Sequence, residues 1–369
     1  YSVNAVFRPD FGPKWFQTDF KKMWNAIKSS DLVIIGGGGL LEDTHNYFSI
    51  PRYLHTVILA KLFRKPVMFY SVGVGPISNK LSKFMVQSIC NISDIITVRD
   101  QKSKEILDLL GVSNVPILVS EDPVFLLEAV DSSLAKKILL REKVPLDKPL
   151  IGVSVRQIEW CNPNYSNLAK FLDYLITSLD VTVVFVPFGR DGSPTDLDLS
   201  RQVIDQMKHN AYVLEEVYSP SETLGIIKQF DFLIGMRFHS LMMGATTSVP
   251  ILGICYLPKV EILLTKLGYN GHHYVKGDFS DLTYEDLLEK FKLISVDKEK
   301  IMSTHKEALS AIKYKALKPS LMINKIENKN IPKIKLIALI NLFFFEIILF
   351  GFFQIVQSYK HRRRSSTIC

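Results

Sequence analysis

The hydrophobic pattern of this chain alternates between two spacings. Short runs of consecutive apolar residues are separated by longer segments in which apolar residues recur every three or four positions. The first spacing is typical of strands buried on both faces of a parallel sheet, and the second of amphipathic helices. The predicted strands are residues 32–35, 67–72, 95–98, 115–119, 150–155, 181–186, 212–214, 232–234 and 251–256. The predicted helices are 16–28, 50–63, 81–92, 103–110, 196–208 and 240–247, with one more beginning at Ser219 and a helical pattern over 287–329.

Strands that alternate with helices predict an α/β fold of the doubly wound type. The chain has 369 residues and 47% hydrophobic content, enough for two cores at one domain per ~150 residues. We predict a Rossmann-like domain over residues 1–127, a linker region over 128–149 and a second Rossmann-like domain over 150–330. Asp31-Leu-Val-Ile-Ile-Gly36 and Asp231-Phe-Leu-Ile-Gly235 echo each other, each followed by a helix, a proline and a strand. Two domains that face each other across a cleft would account for this echo.

A turn of four glycines, Gly36 to Gly39, follows the first strand. It is not a phosphate-binding Walker loop, because no Gly-Lys-Ser/Thr follows, and Leu41 stands where the third glycine of a dinucleotide fingerprint belongs. Glycines without side chains let a ligand approach the backbone, which makes Gly37 and Gly38 candidate contacts. The alternative is a tight turn with no ligand.

The segment Gly235-Met-Arg237-Phe-His239 lies where a predicted strand passes into a predicted helix that starts at Ser240. In an open parallel sheet, ligands bind at the carboxyl ends of strands, and the N–H groups of a helix start favour an anion. Arg237 and His239 are therefore candidates for an anion site. The alternative is an arginine paired with a nearby carboxylate and a histidine satisfied in the core.

Other charged residues also follow predicted strands. Arg156 follows strand 150–155, and Asp43 and Asp122 lie just beyond strand ends in the first half. Carboxylates in such places can act as general bases or hold ligand hydroxyls. Asp122 precedes Pro123, and an Asp-Pro pair also simply starts turns.

The net charge of +8 does not indicate nucleic acid, because the basic residues are spread along the chain without a basic-aromatic stripe. An anionic small molecule or a membrane surface suits this charge better. The four cysteines are far apart, so no zinc site or disulfide framework is indicated, and no other cluster has the spacing of metal ligands.

The C-terminal region, residues 331–369, contains a strongly apolar stretch at 334–356 and a basic tail after it. Their side chains contribute on the order of −5 to −10 kcal/mol to membrane insertion, against about +3 kcal/mol for Glu346. We therefore predict a transmembrane helix. The alternative is a buried C-terminal helix. Positive charges flank both ends, so the positive-inside rule hardly orients the segment.

In these motifs the chain resembles the polysaccharide pyruvyl transferase family over roughly residues 31–278. The resemblance rests on Gly36-Gly-Gly-Gly-Leu-Leu-Glu-Asp43, Ser71-Val-Gly-Val-Gly75, Val98-Arg-Asp100, Asp122-Pro123, Gly152-Val-Ser-Val-Arg156, Gly235-Met-Arg-Phe-His239 and Tyr256-x-x-Lys259. It implies a fold like that of GT-B glycosyltransferases and transfer of a pyruvyl group from phosphoenolpyruvate to sugar hydroxyls. The family's first strand, with Asn-x-Gly-Asp, is missing, and the chain begins at Tyr1, so we expect a fragment or processed product.

The resemblance also implies roles for the candidate residues. Arg156, Arg237, His239, Ser240 and Lys259, with Gly37 and Gly38, would bind the substrates. His239 would donate a proton, because the ordinary histidine pKa of ~6.5 suits that task. Asp43 or Asp122 would accept the proton of the sugar hydroxyl. Neither a metal nor a cofactor is expected, because arginines can neutralise the phosphate.

The acceptor would be a glycan or a lipid-linked sugar. Phosphoenolpyruvate is made in the cytosol, so we expect a membrane-associated protein with a cytosolic catalytic part. Two alternatives remain open from the sequence. One is a nucleotide-sugar-dependent glycosyltransferase or epimerase of the same fold, and the other is an inactive membrane-tethered remnant.

Overall fold

The computed structural model describes residues 19–43, 49–158, 165–189, 194–277, 282–323 and 326. These residues divide between two compact units. The first unit contains the described chain as far as Pro123 and again from Lys315, and the second runs from Val124 to Tyr314.

The first unit is a parallel sheet with helices. Its strands are β1 (Val33–Gly36), β2 (Gly39–Leu41), β3 (Val67–Val74), β4 (Ile95–Val98) and β5 (Ile117–Val119). Its helices are α1 (Asp19–Ser29), α2 (Ser49–Leu62), α3 (Lys80–Cys90) and α4 (Gln101–Leu109). A 3₁₀ turn over Pro123–Leu126 crosses the boundary into the second unit. The strand order is β1-β3-β4-β5, and β2 also pairs with β3. The long strand β3 is buried along nearly its whole length, as its mainly apolar sequence predicts.

Strand β2 was not predicted, because the glycine run was interpreted only as a turn. Gly37 and Gly38 have φ angles of 78° and 72°, a left-handed conformation that glycine adopts without strain. The chain can therefore fold back after β1, and Gly39 pairs with Gly73 of β3.

The second unit has a six-stranded parallel sheet. Its strands are β6 (Leu150–Ser154), β7 (Thr182–Phe185), β8 (Tyr212–Val213), β9 (Phe232–Gly235), β10 (Ile251–Cys255) and β11 (Tyr274–Lys276). Its helices are α5 (Ser132–Arg141), α6 (Ser166–Leu179), α7 (Asp196–Ile204), α8 (Pro220–Ile227), α9 (Phe238–Thr246), α10 (Pro258–Lys266) and α11 (Tyr284–Val296). A last described helix, α12, covers Lys298–Met322.

The residues 128–149, for which a linker was predicted, contain helix α5. Ile138 and Leu139 of this helix and Val144 after it are buried in the same apolar core as Leu150 of β6. This stretch therefore contributes to the core of the second unit.

The strand order β11-β10-β9-β6-β7-β8 reverses direction between β6 and β9. From β6 the chain proceeds outward on one side through β7 and β8, and then crosses to β9 and proceeds outward on the other. Ligands of open α/β sheets bind outside the carboxyl ends of the strands at such a switch point. In this unit it lies beside Ser154 and Gly235, which are paired in register.

Two helix starts show how local sequence sets the element boundaries. Ser219 and Glu222 form a reciprocal capping box at α8 with Pro220 in the first turn, as the sequence Ser219-Pro-Ser-Glu222 predicts. Thr195 and Asp198 form a second capping box at α7. This box fixes the residue between them, Asp196, in the first turn of α7.

Among the helices in the described part of the chain, none has the length and apolar character needed to cross a membrane. The transmembrane helix predicted for residues 334–356 lies outside the described residues and stays a prediction.

Candidate functional site

Arg156 and Arg237 follow the two strands that border the switch point of the second unit. The N–H of Met236 donates to the carbonyl of Ser154 at 2.9 Å, so the two strands stay paired up to their carboxyl ends. Arg156 comes two residues after Ser154, and Arg237 two residues after Gly235. The fold thus brings two arginines, distant in sequence, to the same edge of the sheet.

Arg237 is paired with a buried carboxylate. Its Nε donates to Asp196 Oδ2 at 2.7 Å, and its Nη2 donates to Asp196 Oδ1. The Asp196 side chain is 1% exposed, whereas that of Arg237 is 28% exposed. The pairing with a carboxylate, raised as the alternative for Arg237, is therefore present, but the guanidinium still reaches solvent.

Asp196 is a site residue that the sequence analysis did not identify. Its Oδ2 also accepts from the N–H groups of Phe188 at 3.2 Å and Gly189 at 2.7 Å, in the segment that follows β7. A β-carbon on Gly189 would overlap the Arg237 guanidinium, so glycine makes room for the pair. The only available signal was an aspartate in a helix start just after a strand-end loop, and many surface helices share this feature.

The start of α9 supplies backbone N–H groups beside Arg237. Arg237 is the N-cap residue of this nine-residue helix, and its side chain makes no capping hydrogen bond. Because helix starts leave N–H groups without intrahelical partners, this end of α9 favours an anion. The Ser240 hydroxyl is buried and donates to the Arg237 carbonyl at 2.7 Å, so it stabilises the turn. His239 is exposed.

Arg156 and Lys259 lie against aromatic rings. Arg156 Cζ is 4.9 Å from the Tyr256 ring centroid, and its Nη1 donates to the Tyr256 hydroxyl at 2.5 Å. Arg156 Nε donates to the Gln157 carbonyl at 3.0 Å. Lys259 Nζ is 5.6 Å from the centroid of the Phe238 ring. Cation–π contacts hold cationic groups in place without neutralising them.

The hydroxyl of Ser154 is a second feature that sequence analysis missed. The residue is 1% exposed, and no residue in the described part of the chain hydrogen-bonds its Oγ. Its register partner Gly235 faces Ser240 and Leu241 of α9, and paired residues of parallel strands share a face. Ser154 therefore lies on the sheet face that α9 covers. Buried hydroxyls are rarely left without a partner, which makes this one a candidate contact for a ligand or water.

Cys255, at the end of β10, is the cysteine nearest to these groups in sequence. Burial, with a smaller contribution from the charge of Glu261, raises the pKa of its thiol to about 12. The thiol is therefore protonated at neutral pH and does not serve as a nucleophile.

In the first unit, the candidate base Asp43 is occupied by hydrogen bonds. Its Oδ1 accepts from the N–H and the hydroxyl of Ser78, and its Oδ2 from the N–H of Asn79, each at 2.9 Å. Burial alone would raise its pKa, but these donors and the Ser82 hydroxyl outweigh burial and lower it. A carboxylate held in this way anchors the chain before α3 and is a poor proton acceptor.

The other candidate base, Asp122, lies in a different environment. It is 7% exposed, and its Oδ2 is 3.9 Å from Arg99 Nη1, beyond direct hydrogen-bond distance. The Arg99 guanidinium occupies the space where a β-carbon on Gly73 would be. Gly37 and Gly38 follow β1 in the same unit, and no described residue lies within 4 Å of a β-carbon built on either.

The sequence-predicted residues thus fall into two groups, one in each unit. Gly37, Gly38, Asp43 and Asp122 belong to the first unit, and Arg156, Arg237, His239, Ser240 and Lys259 to the second. No set of three or more His, Cys, Asp or Glu side chains within the described ranges is placed to hold a metal ion.

The family model for polysaccharide pyruvyl transferase matches residues 1–256 of this chain. This match covers more than half of the chain. No curated protein matches it.

Several solved structures share the fold at low sequence identity. HepE of Anabaena, in complex with UDP and glucose, is 12% identical with a TM-score of 0.54, covering 86% of this chain and 83% of its own. The UDP-GlcNAc 2-epimerase of Methanocaldococcus jannaschii is 14% identical with a TM-score of 0.54, covering 79% of each chain. A glycosyltransferase of Rickettsia africae is 14% identical with a TM-score of 0.52, covering 88% of this chain and 84% of its own. The α/β fold with parallel sheets is therefore similar to that of GT-B glycosyltransferases and epimerases.

Proposed function

Because this chain belongs to the polysaccharide pyruvyl transferase family, we propose that it moves the pyruvyl group of phosphoenolpyruvate onto sugar hydroxyls of a polysaccharide or lipid-linked glycan. The observation that carries this proposal is the pair of arginines, Arg156 and Arg237, beside the switch point and the start of α9. Two strand ends with a guanidinium each, next to backbone N–H groups, suit a small ligand with two anionic groups.

Phosphoenolpyruvate carries a phosphate and a carboxylate. Arg156 has the neutral partners Tyr256 and Gln157 among the described residues, so its charge remains available for the phosphate or the carboxylate. Arg237, the N–H groups at the start of α9 and Lys259 complete the donor site in this proposal. Arginine suits both anionic groups because its planar guanidinium makes two parallel hydrogen bonds.

His239 is the proposed proton donor to the methylene carbon of phosphoenolpyruvate. Protonation converts the methylene to a methyl group and leaves a cationic carbon, which the oxygen of a sugar hydroxyl attacks. A second hydroxyl of the sugar then displaces phosphate, and the carbon becomes a cyclic ketal. The base takes one of the two hydroxyl protons and releases it to solvent, from which the histidine is reprotonated, and the other hydroxyl proton leaves with phosphate, so the protons balance. The exposure of His239 leaves its ring accessible to substrate.

Asp122 is the proposed base for the sugar hydroxyl, in preference to Asp43. The hydrogen-bonding capacity of Asp43 is used by Ser78 and Asn79, and these donors lower its pKa. Asp122 Oδ2 instead lies 3.9 Å from Arg99 Nη1. Gly37 and Gly38, which have no described residue within 4 Å of a built β-carbon, are proposed contacts of the acceptor.

Phosphate release tests the proposal. The full chain is incubated with phosphoenolpyruvate and a panel of glycan and lipid-linked acceptors, and acceptor-dependent phosphate is measured. We expect release that is lost in Arg237→Ala and kept in Arg201→Ala, a surface arginine that pairs with Glu215. No release from the native chain with any acceptor, or unchanged release in Arg237→Ala, would reject the proposal.

A nucleotide-sugar-dependent glycosyltransferase or epimerase is the second candidate. The observation that favours it is the shared fold with HepE, whose structure was solved with UDP and glucose. Thermal shift separates the two candidates, because pyruvyl transfer requires stabilisation by phosphoenolpyruvate and the alternative requires stabilisation by UDP.

Membrane attachment through residues 334–356, with the catalytic part on the cytosolic side, is a separate part of the proposal. The apolar character of these residues in the sequence supports it. Carbonate extraction of membranes tests it. Retention of the chain in the pellet is expected, and release into the supernatant would rule out a spanning helix.

A further inference from the structure

Asp196 and Arg237 form a pair with a defined orientation. Side-on contact through Nε and Nη2 places the guanidinium and the carboxylate in one plane. Such a pair is more directional than a single ion contact, because rotation of the guanidinium would break both hydrogen bonds at once.

The Asp196 carboxylate is also held by groups other than Arg237. Asp196 Oδ2 accepts from the Phe188 and Gly189 N–H groups, and Asp196 lies in the first turn of α7, whose start is fixed by the Thr195 capping box. Burial to 1% exposure excludes water as a competing partner. Asp196 is therefore anchored by two N–H groups and by the capped helix start, and Arg237 is oriented against it.

This contact uses only one edge of the guanidinium. The other end of Arg237 keeps both N–H bonds of Nη1 and one of Nη2, and no residue in the described ranges accepts from Nη1. Since the Arg237 side chain is 28% exposed, this end is the part that a ligand can reach.

We infer that Asp196 is a positioning residue, which holds Arg237 so that its Nη1–Nη2 end makes a two-point contact with one anionic group of the donor. The inference rests on the proposed function. It also assigns different tasks to the two arginines. The charge of Arg237 is balanced by Asp196, so Arg237 mainly orients the bound anionic group. Arg156 has neutral partners and contributes net positive charge.

Two variants of different chemistry test the positioning role. Asp196→Asn keeps the shape but replaces one acceptor oxygen with a donor, so at least one contact to Arg237 or to the Gly189 N–H is lost. Gly189→Ala keeps the Asp196 carboxylate chemically intact and displaces the guanidinium, because the new β-carbon would lie 2.4 Å from Nη2 but 3.3 Å from Asp196 Oδ1. Both variants are expected to bind phosphoenolpyruvate about tenfold to a hundredfold more weakly, the effect of losing one charge-assisted hydrogen bond.

The matched control is Asp198→Asn, in the same turn of α7. Asp198 accepts from Thr195 in the capping box and has no contact with Arg237. A purely structural role for Asp196 predicts that the control weakens donor binding as much as Asp196→Asn does. A positioning role predicts native donor affinity in the control, with only a lower melting temperature.

Binding of phosphoenolpyruvate to the full chain is measured by calorimetry, with KM and kcat for donor and acceptor determined separately. A raised KM for phosphoenolpyruvate with an unchanged KM for the acceptor in both test variants supports the inference. Native affinity in Gly189→Ala and in folded Asp196→Asn would overturn it while leaving the proposed function intact. If the native chain itself does not bind phosphoenolpyruvate, the proposed function fails. If Asp196→Asn does not fold, Gly189→Ala alone decides.

Discussion

Polar residues follow the strands of both sheets, but they differ in how much of their hydrogen-bonding capacity is used within the chain. At the edge of the first unit, Asp43 accepts three hydrogen bonds at 2.9 Å from Ser78 and Asn79, and its carboxylate has a local structural task. At the edge of the second unit, Arg237 is also held, by Asp196, but the contact uses one edge of the guanidinium and leaves the other end exposed.

This difference separates an anchor from a candidate binding group. Some strand-end side chains use all their hydrogen-bonding capacity within their own chain. Such a side chain stabilises the loop in which it lies. A side chain that is fixed along one edge and exposed along the other is preorganised for a ligand, because its orientation does not have to be established during binding.

Asp122→Asn should reduce acceptor-dependent phosphate release by about 10²- to 10⁴-fold, the usual contribution of a general base. Asp43→Asn should keep kcat near the native value, because its carboxylate is committed to the chain before α3. Steady-state rates of both variants at equal folded concentration make the comparison. Similar losses of kcat in the two variants would contradict the distinction between anchor and base.

Arg237→Ala should also lower stability, by about 3 to 5 kcal/mol, because it leaves the buried Asp196 carboxylate without its charge partner. Urea denaturation measures this free energy. The double variant Asp196→Ala/Arg237→Ala should lose less than the sum of the single variants. Additive losses would show that the pair is not coupled. The control is Arg201→Ala, whose exposed ion pair is expected to contribute about 0 to 1 kcal/mol.

Asp43→Ala should cost about 1 to 2 kcal/mol at pH 7, the effect of leaving its hydrogen-bond donors without an acceptor. Because its folded pKa lies below the unfolded value, Asp43 stabilises the fold above pH ~4, and this contribution is lost as the pH falls through the folded pKa. The difference in urea midpoint between native chain and variant should therefore shrink from pH 7 to pH 3. A constant difference would contradict the anchoring role.

His305 contacts the end of α9 that is opposite to Arg237. It is buried, its Nε2 lies 2.9 Å from the Ala245 carbonyl, and no described residue hydrogen-bonds its Nδ1. Burial lowers its pKa, although the bond to Ala245 partly opposes this. The unfolded chain therefore binds a proton near pH 6.5 that the folded chain does not, and stability should fall below this pH.

The expected slope is at most about 1.4 kcal/mol per pH unit. Urea midpoints between pH 7.5 and 5 measure the slope, which His305→Gln should flatten and the surface variant His272→Gln should not. An equal slope in native chain and His305→Gln would contradict this account.

The parts of the fold that depend on local pattern followed from the sequence. The mainly apolar run at Ile95–Val98 is strand β4, and Ser219-Pro-Ser-Glu222 begins α8 as the capping chemistry requires. Strand β2 did not follow, because its pairing depends on the left-handed φ angles of Gly37 and Gly38 and on a distant partner, Gly73.

Some residues of the candidate site could likewise be predicted from the sequence, and others could not. Arg156 and Arg237 could be singled out because each follows a buried apolar run. Asp196 could not, because its contact with Arg237 joins residues 41 positions apart. Nor could sequence alone separate Asp43 from Asp122, since both are carboxylates beyond strand ends and the donors that hold Asp43 lie 35 and 36 positions away.

A crystal structure of the full chain with phosphoenolpyruvate tests the central claim most directly. The account predicts that one anionic group of the ligand lies within hydrogen-bond distance of Arg237 Nη1 and that Arg156 contacts the same molecule, while the Asp196 pair is preserved. A ligand bound away from both arginines, or one that displaces Asp196 from Arg237, would contradict it.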